Sequence, residues 1–279
     1  MKDLRISLPG SRNSRGFTLV ELAVVLGMIG LVALMLAPAL ARTNAVTKVA
    51  QCRNNLKQLT AAWKMYASDN GDRLVASSSG VSGRPTWITG WIDYAPANTS
   101  NWDVNRDIAK SPLWAYIGQA PALFKCPADQ SSVIAVGGRK PRVRSISMSH
   151  VFGQGEWLDG PYKPTQTVWR TYAKGADVML PARTFLFIDE HPASINDGSF
   201  ANVCTGADQA GTARIIDYPA SYHDNGACGI SFADGRSEIH KWLGTTIKPP
   251  VGTVLNLNVL AGDSWVDVSW LAQNTTMSR

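Results

Sequence analysis

The feature that most constrains this chain is an uninterrupted apolar segment close to its N-terminus. Residues 17–41 contain one charged side chain, Glu21, and as an α-helix they would be about 37 Å long at about 1.5 Å per residue. The hydrocarbon core of a bilayer is about 30 Å thick, so the segment is long enough to span it. The residues before it are basic, with Lys2, Arg5, Arg12 and Arg15 against Asp3. Because cytoplasmic flanks are rich in Lys and Arg, we expect a membrane helix whose N-terminus faces the cytoplasm.

The overall charge has to be read together with that basic leader. The chain has 279 residues and a formal net charge of +6, but half of this charge lies in residues 1–16. No block of basic residues with interleaved aromatic residues follows, so we expect no nucleic-acid partner. The length allows one membrane anchor and one sizeable domain.

Glu21 is the second informative feature, because a carboxylate within a membrane segment is costly and indicates a function with a cationic partner. The candidate partner is the amine that cleavage after Gly16 would expose on Phe17. An ordinary secretory signal is the alternative, with a cleavage site at 37–39 or 39–41. The apolar segment is longer than the core of such a signal, and Glu21 would have no role in one.

The run Gly16-Phe17-Thr18-Leu19-Val20-Glu21 resembles the processing site of type IV prepilins and type II secretion pseudopilins. The resemblance implies that a prepilin peptidase cuts between Gly16 and Phe17 and methylates the new N-terminus. It also implies that Glu21 pairs with the N-terminal amine of a neighbouring subunit during filament assembly. Pro38 lies where such pilins often carry a helix-loosening proline. The implied location is the inner membrane, with a single span, a cytoplasmic N-terminus and a periplasmic head that can be extracted into a filament.

A second helix is predicted directly after the span. Its apolar residues recur at steps of three and four, which is typical of an amphipathic helix that packs on a domain; they are Val49, Cys52, Leu56, Leu59, Trp63 and Tyr66. Asn70 and Gly71 supply a stop signal. The predicted organisation is therefore a leader (1–16), a transmembrane and assembly helix (17–41), an amphipathic spine (42–72) and a head (73–279).

The head reads as short strands and loops. Strands are predicted at 86–94, 143–148 and 184–188, and a hairpin at 228–242 turns at Asp234-Gly235, a strong turn signal. A short helix is predicted at 111–118, between Pro112 and Gly118. The fold class is therefore α+β, with the long N-terminal helix packed on an antiparallel sheet, and the resemblance to type IV pilins implies the same fold.

Further segments of the head resemble the large-headed pseudopilin-like proteins of planctomycetes and verrucomicrobia. They are 52–58, beginning at Cys52, Cys126-Pro-Ala-Asp129, and 187–192. These proteins carry an H-X9-DG motif near the C-terminus; here ten residues separate His223 from Asp234-Gly235. His223 and Asp234 are candidates for a catalytic or metal-binding pair, whereas the simpler interpretation makes Asp234 the turn residue of its hairpin.

Metal and disulfide sites are less sharply defined by the sequence. Asp189, Glu190 and Asp197 offer oxygen ligands for Ca²⁺, and calcium binding by the heads of some pseudopilins supports this; the alternative is that these groups cap turns. The four cysteines form no Cys-x-x-Cys pair. In an oxidising compartment they allow disulfides, of which Cys204–Cys228 is favoured; unpaired buried thiols are the alternative. No cofactor is certain.

The function expected from these patterns is structural. The chain has no Gly-x-Ser-x-Gly, His-Glu-x-x-His or phosphate-binding loop, so we expect no enzymatic activity. The prediction is a subunit of a type IV pilus or a type II secretion pseudopilus, whose partners are prepilin peptidase, other pilin subunits and membrane lipid. The alternative is a membrane-anchored periplasmic binding module for a polysaccharide or protein, or an enzyme, that never polymerises. Five tryptophans would form its binding surface or pack in the core: Trp87, Trp91, Trp102, Trp114 and Trp157.

Overall fold

The computed structural model describes residues 18–160, 162–163, 168–252 and 255–279, without the side chains of residues 32–43. It divides the chain into two units, Met1–Ala45 and Val46–Arg279. The long helix α1 (Leu19–Asp69) contributes residues to both units.

In the first unit, α1 begins at Leu19 and its assignment continues across Pro38, whose side chain lies outside the described residues. Every side chain from Thr18 to Leu31 is exposed. Among the described residues, no helix combines the length and the apolar character that crossing a membrane requires. Gly16 and Phe17 lie outside the described residues.

In the second unit, the rest of α1 forms the predicted spine. Its apolar stripe is buried from Cys52 to Tyr66, with Leu56 and Leu59 fully inaccessible to solvent, whereas Val49 is partly exposed. The helix ends at Asp69, and the chain reverses through Gly71, whose φ is +64°. The predicted stripe and the predicted stop near residue 70 are both confirmed.

Within the described residues, the second unit also contains nine short strands and one further α-helix, besides several 3-10 turns. They are β1 (Ser132–Ala135), β2 (Gly138–Pro141), β3 (Ile146–Ser149), β4 (Phe185–Asp189), β5 (Ser199–Phe200), β6 (Arg214–Ile215), β7 (Ala227–Phe232), β8 (Ser237–Lys241), β9 (Val259–Leu260) and α2 (Trp265–Gln273). The central sheet has the order β5-β3-β4-β7-β8. Its pairs are antiparallel except for the parallel β3–β5 pair. The α+β class is confirmed.

The sheet separates two apolar layers. On one face, Leu56 and Trp63 of α1 pack with Phe187 in the larger core cluster. On the other face, Ile230 of β7 packs with Val268 of α2. Towards α1, β7 presents only small side chains: the hydroxyl of Thr60 donates to the Ser231 hydroxyl at 2.9 Å. The spine therefore lies close against the middle of the sheet.

The strand predicted at 86–94 is wrong. Aromatic and β-branched residues favour strands, but the backbone hydrogen bonds of Trp87 do not belong to any strand of the sheets. Its N–H donates to the Ala76 carbonyl and its carbonyl accepts from the Ser111 hydroxyl. Gly90 then turns the chain with a φ of +85°. Trp87 is fully buried, so its burial reflects core packing in an irregular segment.

The other local predictions are largely confirmed. The strands predicted at 143–148 and 184–188 correspond to β3 and β4. The helix predicted at 111–118 is a single 3-10 turn, Trp114–Ile117. Its stop signal acts as expected, because Gly118 has a φ of +61°, whereas the turn begins only after Leu113, which provides no side-chain cap.

Candidate functional site

Four side chains that are remote in sequence meet where α1 crosses the central sheet. Cys52, Cys126, Asp189 and His223 are all buried, and one ligand atom from each lies within 4.8 Å of the other three. Two of the atoms are thiol sulfurs, one is an imidazole nitrogen and one is a carboxylate oxygen. We refer to these four residues as the four-ligand cluster.

Each member of the four-ligand cluster is placed by a different structural element. Cys52 belongs to the buried stripe of α1, and Asp189 is the last residue of β4. Cys126 lies just beyond the 3-10 turn Pro121–Phe124. His223 precedes β7 and is held by reciprocal backbone bonds with Ala227, of 2.9 and 2.6 Å. The four-ligand cluster therefore exists only when the spine, the loop and the sheet are assembled.

Two polar contacts lie inside the four-ligand cluster, and two more connect it to Ser145. The Cys52 thiol donates to Oδ2 of Asp189 at 3.1 Å, and Sγ of Cys126 lies 3.2 Å from Nε2 of His223. From outside, the Ser145 hydroxyl donates to Oδ1 of Asp189 at 3.0 Å. The same hydroxyl accepts from the backbone N–H of Cys126 at 2.8 Å. Ser145 thereby links the loop ligand to the strand ligand.

Burial is the largest influence on the pKa values of Asp189 and His223, and it also acts on Cys52. It raises the pKa of Asp189 to about 6 and lowers the pKa of His223. The pKa of Cys52 is raised by its hydrogen bond with Cys126 and by burial. In each case burial disfavours the charged form. A divalent cation at the centre would supply the missing positive charge and favour the ionised ligands.

The sheet makes room for these ligands at Gly229. A Cβ atom at this position of β7 would lie 2.6 Å from Sγ of Cys52 and 2.7 Å from Cδ1 of Leu56. It would also lie 3.3 Å from Oδ2 of Asp189. Any side chain here would therefore displace the helix or the ligands, and glycine allows the close approach that brings Cys52 to Asp189.

The trio predicted for calcium is not brought together. Asp189 faces α1, whereas Glu190 accepts from the Ser194 hydroxyl at 2.8 Å, because successive residues of an extended strand point to opposite faces. Asp197 accepts from the Ser199 N–H at 2.7 Å and caps its own turn. Within the described residues, Glu190 and Asp197 belong to no group of metal ligands. The turn-capping interpretation is correct for Asp197.

His223 and Asp234 do not form a pair, because they lie beyond opposite ends of β7. The Asp234 carboxylate accepts from the Arg236 N–H at 2.9 Å, and Gly235 has a φ of +106°. The interpretation of Asp234-Gly235 as the hairpin turn is confirmed. The loop is one residue longer than the predicted two-residue turn, since the Phe232 N–H bonds to the Arg236 carbonyl.

The predicted Cys204–Cys228 disulfide is also wrong, since all four cysteines are free thiols. Cys204 packs in the core cluster beneath α1, whereas Cys228 lies in the cluster beside α2. The two thiols thus belong to different apolar layers. Burial raises the pKa of Cys204 and of Cys228 and thereby favours the protonated thiol at both positions.

The start of α1 carries a second arrangement of interest. The Glu21 carboxylate accepts from both the N–H and the hydroxyl of Thr18, at 2.9 and 2.8 Å. In return the Thr18 hydroxyl accepts from the Glu21 N–H at 3.2 Å. These reciprocal bonds form a capping box, which satisfies backbone donors at a helix start. Glu21 therefore has a local structural role that the sequence analysis did not assign.

This N-terminal segment carries a motif that is known from other proteins. The family model described as the prokaryotic N-terminal methylation motif matches residues 11–37. The match shows that residues 11–37 carry a prepilin-type methylation motif, and the α+β architecture of the chain resembles that of type IV pilins.

Among known proteins, the chain is similar to the type IV major pilin protein PilA of Myxococcus xanthus (strain DK1622). The two are 38% identical over 66 residues, which is 24% of this chain and 30% of that pilin. The chain thus matches about a third of the length of this relative. No solved structure matches the chain.

Proposed function

We propose that the chain is processed by prepilin peptidase after Gly16, methylated on Phe17 and used as a subunit of a type IV pilus or a type II secretion pseudopilus. Before assembly the subunit resides in the inner membrane, with its N-terminus in the cytoplasm and its head in the periplasm. The methylation motif at residues 11–37 and the similarity to a major pilin support this proposal.

The observation that carries the proposal is the exposed apolar surface at the start of α1. Leu19 is 85% exposed, and Leu26 and Ile29 are each 59% exposed. Isolated soluble proteins rarely present such a surface over several helical turns. Lipid tails would cover this surface before assembly, and the same helices of neighbouring subunits would cover it afterwards. A pilin requires an apolar helix that can be buried in both environments.

Glu21 is the only charged side chain in residues 17–41, and we propose that it selects the position of each incoming subunit. Its carboxylate would be neutralised by the N-terminal amine of a neighbour, as an acid in an apolar environment requires. The capping box offers a competing explanation, because Glu21 already satisfies donors at its own helix start. An experiment has to separate these two roles.

Three variants of the full chain separate them. Glu21→Gln removes the charge but keeps an oxygen that can accept from Thr18, since Gln also serves in capping boxes. Thr18→Val removes the hydroxyl of the cap but keeps the carboxylate, and Glu21→Ala removes both functions. We expect all three to be processed, and only Thr18→Val to be incorporated into filaments in normal amounts. Normal incorporation of Glu21→Gln would contradict the pairing role.

Processing is tested by intact mass and N-terminal sequencing of the protein from its native membrane. We expect a chain that begins at methylated Phe17. A chain that begins near Arg42 or at an uncut Met1 would contradict the proposal. A correctly processed subunit that forms no filament, and whose location is unaffected by all three variants, would instead favour the non-polymerising membrane-anchored module.

A further inference from the structure

We propose that Cys52, Cys126, Asp189 and His223 bind a Zn²⁺ ion, which fastens the spine helix to the sheet of the head. The inference rests on the second unit alone and does not depend on the proposed assembly function. The four ligands come from α1, a loop, the end of β4 and the approach to β7. The sequence separation is 137 residues between Cys52 and Asp189 and 97 between Cys126 and His223.

The donor set selects the metal. Two thiolates, one imidazole and one carboxylate are all zinc ligands, and structural zinc sites are four-coordinate and tetrahedral. Thiolates are poor ligands for Ca²⁺ and Mg²⁺, which prefer oxygen. With four protein ligands no position is left for water or substrate, so the site is a structural centre.

Two distances between ligand atoms of the four-ligand cluster are slightly shorter than zinc coordination requires. Tetrahedral bonds of about 2.3 Å to sulfur and about 2.0 Å to nitrogen or oxygen place neighbouring ligand atoms about 3.5 Å apart. In the four-ligand cluster, Cys52 Sγ and Asp189 Oδ2 are 3.1 Å apart, and Cys126 Sγ and His223 Nε2 are 3.2 Å apart. These two pairs would have to separate by a few tenths of an ångström, and all four ligand atoms already lie within 4.8 Å of one another.

The surroundings of the ligands are those of a metal centre. Asp189 is fully buried, and its hydrogen-bond partners in the structure are the Cys52 thiol and the Ser145 hydroxyl. Buried carboxylates are normally paired with a cation or bound to a metal. Ser145 holds Oδ1 and leaves Oδ2 directed at the other ligands, and the Ala128 N–H donates to Sγ of Cys126 at 3.4 Å. Such outer contacts orient metal ligands and tune their basicity.

The competing arrangement is a disulfide between Cys52 and Cys126, since an exported protein meets an oxidising compartment. A disulfide would remove both thiol donors, and it would explain neither the buried carboxylate nor the imidazole directed at Cys126. The combination of all four groups favours the metal.

The test measures zinc in the full chain, purified in detergent without chelator or reductant. We expect about one Zn²⁺ per chain in the wild type and less than about a fifth of that in Cys126→Ser and His223→Gln, because a structural site binds weakly once a ligand is lost. Cys204→Ser and His240→Gln are matched controls, since each alters a cysteine or histidine outside the four-ligand cluster. Both controls should retain the metal. Wild-type zinc content in Cys126→Ser would overturn the assignment.

A second measurement on the wild type keeps the test valid if the ligand variants fail to fold. After zinc is replaced by Co²⁺, tetrahedral thiolate coordination gives intense visible bands and sulfur-to-cobalt charge-transfer absorption. Alkylation of the denatured, unreduced chain with chelator present should modify all four cysteines. Absence of the cobalt spectrum together with a Cys52–Cys126 disulfide in the mass spectrum would overturn the proposal.

Discussion

His150 makes the stability of the head depend on pH in a way that one substitution can isolate. The residue begins the 3-10 turn His150–Phe152 after β3 and is fully buried. Its Nε2 accepts a long hydrogen bond of 3.4 Å from the Asn202 N–H, and Nδ1 has no hydrogen-bond partner within the described part of the chain. Burial lowers the pKa of this imidazole to about 3, so it is neutral in the folded protein at any moderate pH.

The magnitude follows from proton linkage. In the unfolded chain His150 titrates with a pKa of about 6.5, so the unfolded state binds more protons as the pH falls below that value. Stability contributed by the neutral imidazole is therefore lost as the pH falls from about 6.5 towards 3. Between pH 7 and pH 5 the loss amounts to about 2 kcal/mol. This value depends mainly on the unfolded-state pKa, because the folded-state imidazole stays neutral throughout the interval.

The assay compares urea unfolding of wild type, His150→Gln and Val151→Ala at pH 7 and pH 5, followed by tryptophan fluorescence. His150→Gln should lose about 2 kcal/mol less than the wild type between the two values, whatever its stability at pH 7. Val151→Ala is the control, because it removes buried volume at the adjacent position and changes no titratable group. It should therefore show the same pH dependence as the wild type. Equal pH dependence of wild type and His150→Gln would refute the reasoning.

Two further predictions concern packing and backbone hydrogen bonds. Gly229→Ala should destabilise the head by about 1–3 kcal/mol, as overpacking does, and should lower its zinc content. Gly211→Ala is the control, because no atom lies within 4 Å of a Cβ added there. Equal melting temperatures of the two variants would contradict the close approach of α1 to β7 at Gly229. Asp267→Ala should cost about 2–4 kcal/mol, because its buried carboxylate accepts from the N–H groups of Leu243 and Gly244, both at 2.8 Å, and each orphaned donor costs about 1–3 kcal/mol. Asp208→Ala is the matched control, because Asp208 is exposed. If both variants unfolded at the same midpoint, water would have replaced the carboxylate of Asp267.

What the sequence predicted well was encoded locally. The buried stripe of α1 follows from apolar residues at steps of three and four, and its end at Asp69 follows from the Asn-Gly stop. The β7–β8 hairpin follows from Asp234-Gly235, a turn whose chemistry depends on adjacent residues. The prediction of a strand around Trp87 was wrong because the deciding information is not local. The composition of the segment favours a strand, but its hydrogen-bond partners, Ala76 and Ser111, are set by tertiary contacts.

The four-ligand cluster shows why the site itself could not be predicted. Three of its members lie in segments that the sequence analysis singled out as family features, and the fourth is His223 of the motif near the C-terminus. No rule of spacing connects them, since each comes from a separate element. Asp189 was proposed as a ligand with the wrong partners, because alternation along β4 sends it and Glu190 to opposite faces of the sheet. Only the packing of α1 on β7 at Gly229 reveals the common site.

The division of the chain makes the two proposals independent of each other. All four zinc ligands lie within Val46–Arg279, whereas Thr18 and Glu21 lie within Met1–Ala45. A head that closes around its own metal needs no neighbouring subunit, and an assembly helix that presents Glu21 needs no metal. The two kinds of variant should therefore have independent effects. Glu21→Gln should no longer be incorporated into filaments but should keep its full zinc content. Loss of zinc from Glu21→Gln would show instead that the centre depends on assembly, and would require the metal to be placed between subunits.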